Sequence, residues 1–98
     1  MPFEISIAFQ TDKTPAQYAA LAQQVNDYAF DAVSVYCDAP FHPSYGPLLL
    51  MAGHIKQARL GPAAVSPSRM PPIDIAANTS LLAQLATGGV YIGLARGA

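Results

Sequence analysis

The feature that most limits this chain is an alternation. Short runs of β-favouring residues are separated by stretches with helical caps or helical periodicity, at about 25 to 30 residues per unit. In EISIAFQ, Ile5, Ile7 and Phe9 alternate with other residues, the period-two signature of a strand buried on at least one face. Thr14-Pro15-Ala16-Gln17 then opens a helix: Thr14 can cap it, Pro15 suits its first position, and Gln17 completes a capping box. Tyr18, Leu21, Ala22, Val25 and Ala29 follow at steps of three and four, which is one helical face. A second strand is predicted over 31–37, and a proline-containing loop over 38–47. A short helix is expected over 48–56, and a third strand, interrupted by Gly61 and Pro62, over 58–65. After a proline-rich loop, a helix runs from about residue 73 to 86 and is stopped by Thr87-Gly88-Gly89. A fourth strand is read over 90–94.

The order βαβαβαβ implies an α/β fold whose strands pair in parallel through helical crossovers. Short helices and short units suit a TIM-type (β/α)8 barrel, of which four strands are half. An open doubly wound sheet is the other parallel architecture. Against it, the first strand-to-helix turn, QTDKTPAQ, has no glycine-rich phosphate loop. A single partial barrel domain over 1–98, truncated after the fourth strand, is the expected organisation.

Composition bounds the function. Only 11% of the residues are charged and 52% are hydrophobic, whereas soluble domains carry about 25% charged residues. That suggests a segment meant to be covered. Five basic and six acidic residues give a net charge of −1 with no basic run, which argues against a nucleic-acid partner. No apolar stretch approaches the ~20 residues of a membrane span, and the N-terminus has Glu4 and no basic region of a signal peptide. The single cysteine, Cys37, permits no internal disulfide and fits a cytoplasmic protein. His42 and His54 lack an accompanying Cys, Asp or Glu cluster, so no metal site is expected.

The last third, ARLGPAAVSPSRMPPIDIAANTSLLAQLATGGVYIGLARGA, resembles the luciferase-like monooxygenase superfamily. The family's pattern runs from a strand of the RLGP type, through a proline-containing loop and a helix, to paired glycines and a strand ending in GLGAG or GLARGA. DYAFDAVSVYCDAP is similar to its GFD turn and second strand. The branch it looks most like is the F420-dependent, methylenetetrahydromethanopterin reductase-like oxidoreductases. Three positions depart from the pattern. Ala29 stands for the glycine before Phe30-Asp31, Val90 for the arginine after the paired glycines, and Ala39 for a histidine after the acid that ends strand two.

The resemblance implies the N-terminal half of a flavin- or F420-dependent oxidoreductase, using F420 or FMN on a small-molecule organic substrate. Chemistry in such barrels gathers at the C-terminal ends of the strands. Asp38, at the end of strand two, is the catalytic candidate, able to hydrogen-bond a flavin edge or join a proton-transfer network; starting a turn is its plainer role. Ala63 and Ala64 fall where the family often has a non-prolyl cis peptide whose bulge supports the cofactor ring, though alanines also simply pack well. Ser66 and Gly93 are further cofactor-binding candidates. Phe9 and Arg96 are substrate-binding candidates, Arg96 as an anion ligand. The rival reading is non-catalytic: a half barrel with open edges that self-associates as a homo-oligomer or binds a ligand.

Overall fold

The computed structural model describes residues 3–37 and 41–96. Its elements are β1 (Ser6–Gln10), α1 (Pro15–Tyr28), β2 (Ala32–Tyr36), α2 (Tyr45–Ala52), β3 (Arg59–Val65), α3 (Pro72–Leu85) and β4 (Gly93–Leu94). All pairings are parallel, and the sheet order is β1-β2-β3-β4. That order decides between the two parallel architectures. Successive right-handed crossovers that always step the same way place every helix on one face of the sheet. A doubly wound sheet must reverse its order to cover both faces. The fold is therefore a singly wound α/β unit, half of a TIM-type barrel.

The register sorts the strand residues into two faces. Ile7 lies opposite Val33 and Phe9 opposite Val35, while Leu60 continues the row from Val33. These side chains pack with Tyr18, Ala22 and Val25 of α1 and with Leu48 and Met51 of α2. The alternate residues, Ala8, Gln10, Ser34, Tyr36 and Gly61, face away from the helices.

Helix α1 forms as its cap predicts. Thr14 Oγ1 accepts from Gln17 N (3.2 Å), and Gln17 Oε1 accepts from Thr14 N (2.9 Å). It ends at Ala29, which holds a left-handed conformation (φ 55°, ψ 44°) that glycine adopts more easily. Glycine stands at this position in the pattern that the sequence resembles, and the left-handed backbone gives a physical reason for it. Asp31 follows and ties three strand starts together: its Oδ2 accepts from Ile5 N (2.8 Å), and its carbonyl accepts from Arg59 N (3.0 Å).

Two boundaries differ from the sequence expectation. Helix α2 begins at Tyr45, three residues earlier than position 48, and ends at Ala52. Pro47 marked this stretch as loop, but it sits in the first turn, where a missing N–H costs nothing. Strand β4 is only Gly93–Leu94, preceded by an isolated bridge between Val90 and Leu60.

Candidate functional site

The strands end at two unlike places. Along β1 and β2 five residues pair in unbroken register, from Ser6 with Ala32 to Gln10 with Tyr36. Between β3 and β4 the register breaks: Ala63 pairs with Gly93, but Val65 pairs with Leu94. Two steps of β3 match one of β4, which makes a bulge. The Ala63-Ala64 peptide bond, within that bulge, is cis. Both alanines are exposed although their neighbours Pro62 and Val65 are buried. The bulge therefore presents backbone and two methyl groups to the open.

Glycine makes the junction possible. A Cβ on Gly93 would lie 2.7 Å from the Pro62 carbonyl oxygen and 3.2 Å from Ala63 Cα. Gly93 thus lets β4 close against the bulge, a packing role within the chain. One layer below, a Cβ on Gly61 would lie 2.6 Å from the Tyr91 ring. The ring crosses β3 over this bare position and reaches β2. There its hydroxyl donates to the Val33 carbonyl (3.1 Å) and pairs with the Ser34 hydroxyl. Tyr91, Gly61 and Ser34 form a floor beneath the bulge on the face away from the helices.

A hydroxyl latch holds the ends of β3 and β4 together. Ser66 Oγ donates to the Arg96 carbonyl (2.6 Å) and meets Ser68 Oγ at 2.7 Å. Ala95 N donates to the Val65 carbonyl at 3.0 Å. Ser66 is buried, and its proton is committed to this bond; its oxygen still accepts from Ser68 N (3.3 Å). The Arg96 side chain is exposed at the same end of the sheet.

The structure gathers Ala63, Ala64, Ser66, Gly93 and Arg96 at one junction. Phe9 lies apart from it. Its ring is 8% exposed in the helix-side core, with Lys13 Nζ 5.9 Å from the ring centroid. Phe9 is thereby corrected from substrate contact to core residue: a strand end has two faces, and its pairing with Val35 puts it on the covered one. Asp38 lies outside the described residues. Cys37, just before it, donates to the Phe41 carbonyl (3.4 Å). His42 lines a separate groove of about 550 Å³ between the helix starts, with Lys13, Tyr18 and Met70. Among the described residues no His, Cys, Asp and Glu side chains gather in threes.

Sequence reasoning missed the tyrosine floor and a second clamp. Asn26 Nδ2 donates to the His54 carbonyl (2.6 Å) and its Oδ1 accepts from Lys56 N (3.0 Å), tying α1 to the turn before β3. Only the helical position of Asn26 was readable; its partners are distant in sequence. An exposed ion pair lies away from the junction. Donation from Lys13 holds the Asp12 carboxyl below its ordinary value, with the two side chains 2.8 Å apart at the surface.

These features define the class: a parallel, singly wound barrel segment whose irregular ground lies at the C-terminal ends of β3 and β4. The coenzyme F420-dependent tetrahydromethanopterin reductase of Methanopyrus kandleri shares this fold, with a TM-score of 0.84 and 24% sequence identity over 93% of this chain and 26% of that one. At that identity the likeness shows the fold, which is the fold the luciferase-like resemblance implied. This chain spans about a quarter of the reductase chain's length. No protein-family model and no curated protein matches the chain. No helix among the described residues is long and apolar enough to cross a membrane.

Proposed function

We propose that this chain supplies the first strand–helix units of a flavin- or F420-dependent oxidoreductase of the luciferase-like kind, which moves a hydride between the cofactor and a small organic substrate. The observation that carries this reading is the exposed Ala63-Ala64 bulge on the open end of β3, in a fold shared with an F420-dependent reductase. The residues there suit a flat ring. Two methyl side chains leave the backbone accessible, Gly93 allows the strands to close behind it, and the tyrosine floor fills the space below.

The cofactor, when bound, supplies the hydride chemistry itself. The chain's share is placement and shielding. Ala63 and Ala64 are the surface for the ring. Ser66 sets the loop after β3 by its bond to the Arg96 carbonyl, which also fixes where the Arg96 guanidinium emerges. That guanidinium suits an anionic group of substrate or cofactor. Asp38 remains the candidate for hydrogen-bonding the ring edge or moving a proton. F420 is the favoured cofactor because the reductase that shares the fold is named for it; FMN is the alternative. A cytoplasmic setting accompanies this reading.

Fluorescence titration of the chain with F420, and in parallel with FMN, tests the proposal. Saturable binding in the micromolar range, about 8 kcal/mol, weakened at least tenfold by Ala64→Trp, is expected. Absence of saturable binding with both cofactors would overturn the cofactor role for this chain.

A further inference from the structure

We propose that Tyr36 is a hydrogen-bond donor to the ring held at the β3 bulge, its phenol hydroxyl donating to a carbonyl oxygen on the ring's edge. The inference rests on the cofactor reading above. It adds to that reading a residue and a chemical requirement: the occupant must present an acceptor at this place.

Register brings Tyr36 to the bulge. Gln10 of β1 lies opposite Tyr36, and Val35 lies opposite Pro62. One step further along the strands, Tyr36 is therefore level with Ala63. Alternation turns both away from the helices: Val35 and Pro62 are buried, while Tyr36 and Ala63 are exposed. Adjacent strands lie about 4.8 Å apart. A fused ring system resting on Ala63 and Ala64 is wider than that spacing, so it overlaps a neighbouring strand as well. On the β2 side the neighbour is Tyr36.

Burial does not hold Tyr36 on this face. The residue is 37% exposed and belongs to no core cluster, and no described residue bonds its hydroxyl. The other hydroxyls at this end of the sheet have their protons engaged. Tyr91 has one hydroxyl proton, which goes to the Val33 carbonyl (3.1 Å); its contact with Ser34 is therefore donated by Ser34. Ser66 Oγ donates to the Arg96 carbonyl (2.6 Å), and Ser68 Oγ donates to the same carbonyl at 3.3 Å. The Cys37 thiol, next along from Tyr36, donates to the Phe41 carbonyl (3.4 Å). Thr11 Oγ1 has no partner, but Thr11 is wholly buried and out of a ligand's reach. Among the described residues at this end, Tyr36 carries the hydroxyl that is both unengaged and open.

The ring edge offers the matching group. F420 and FMN both carry a pyrimidinedione edge, on which an N–H stands between two carbonyl oxygens. An ionised carboxylate, the group that Asp38 would bring, only accepts and so suits the N–H. A phenol donates and so suits a carbonyl. The two roles do not compete.

The test compares the unsubstituted chain with Tyr36→Phe, which keeps the ring and removes the donor, by fluorescence titration with F420 and with FMN. Tyr28→Phe, at an exposed position at the end of α1, is the control. Tyr36→Phe is expected to weaken binding about fivefold, the net effect of one hydrogen bond, with thermal unfolding unchanged. Tyr28→Phe is expected to bind as the unsubstituted chain does. The second readout is the infrared carbonyl stretch of the bound cofactor. It is expected at higher frequency in Tyr36→Phe, because a donor to that oxygen is lost. Binding whose affinity and carbonyl frequency are both unchanged by Tyr36→Phe would overturn the proposal and leave the cofactor reading standing. Weaker binding at an unchanged frequency would overturn it too, since packing against the ring would then account for the loss. No saturable binding of either cofactor to the unsubstituted chain would overturn both readings together.

Discussion

The β1–β2 ladder and the β3–β4 junction are built from the same kind of chain but held by different physics. In the ladder, five consecutive pairs keep one register because Ile7, Phe9, Val33 and Val35 all face the helices. A one-residue slip would turn that whole row toward the open side. At the junction, two pairs and a bridge are held by glycines that permit close approach and by hydroxyls that tie loops to carbonyls. Hydrophobic burial makes the first region regular. Local fit makes the second irregular, and irregular backbone at strand ends is where a barrel can present a surface to a ligand.

Substitutions can separate the two regions. The largest effect is expected at Leu60, 1% exposed in the core. Leu60→Ala should cost about 3 kcal/mol through lost burial and the remaining cavity. Thermal unfolding should register the loss, and amide exchange should rise in every strand, because this core is shared.

Gly93→Ala comes next, at about 2 kcal/mol from overpacking against the Pro62 carbonyl. Its signature differs from that of Leu60→Ala. Exchange protection should fall at Tyr91 and Ala95 while β1 and β2 keep theirs. Equal loss in all strands would mean that the junction is not a separate region.

Ser66→Ala sharpens the same point. It removes the shorter of two hydroxyl donors to the Arg96 carbonyl, leaving Ser68 Oγ at 3.3 Å, and should cost about 1 kcal/mol, read as faster exchange of the Ala95 amide. Ala29→Gly is expected to act in the opposite direction. It relieves a left-handed alanine and should stabilise the chain by about 1 kcal/mol in denaturant unfolding. An unchanged midpoint would show that the αL site carries no penalty here.

The smallest effect concerns pH. Asp12 has its carboxyl lowered by Lys13, so its contribution is present above the ordinary carboxylate value of 3.8 and is lost as pH falls through the lowered one. Because the pair is exposed, Asp12→Asn should leave the unfolding midpoint at neutral pH unchanged and alter only the acid limb.

Much of the fold was legible because its causes are local. The Thr14–Gln17 capping box, the alternation of Ile7 and Phe9 and the Gly88-Gly89 stop each act within a few residues, whereas Ile5 lies before β1 and is exposed. Helix α2 was misplaced because proline has opposite meanings in a loop and in a first helical turn. Phe9 was misassigned because nearness to a strand's end does not fix which face a side chain takes; its pairing with Val35 does. The Tyr91–Ser34 contact joins residues 57 apart, and its enabling residue, Gly61, reads in sequence only as a strand interruption. Of the candidate site, the bulge at Ala63-Ala64 was reached through family resemblance, since nothing in two adjacent alanines announces one.

The proposed cofactor role places ligand recognition at the open junction and not on the helix-covered face. The most direct measurement is a two-dimensional amide NMR spectrum of the chain titrated with F420. Shifts are expected to concentrate at Ala63, Ala64, Ser66 and Gly93, with Val33 and Val35 unmoved. Shifts confined to the groove between the helix starts, around Tyr18 and Tyr45, would contradict it.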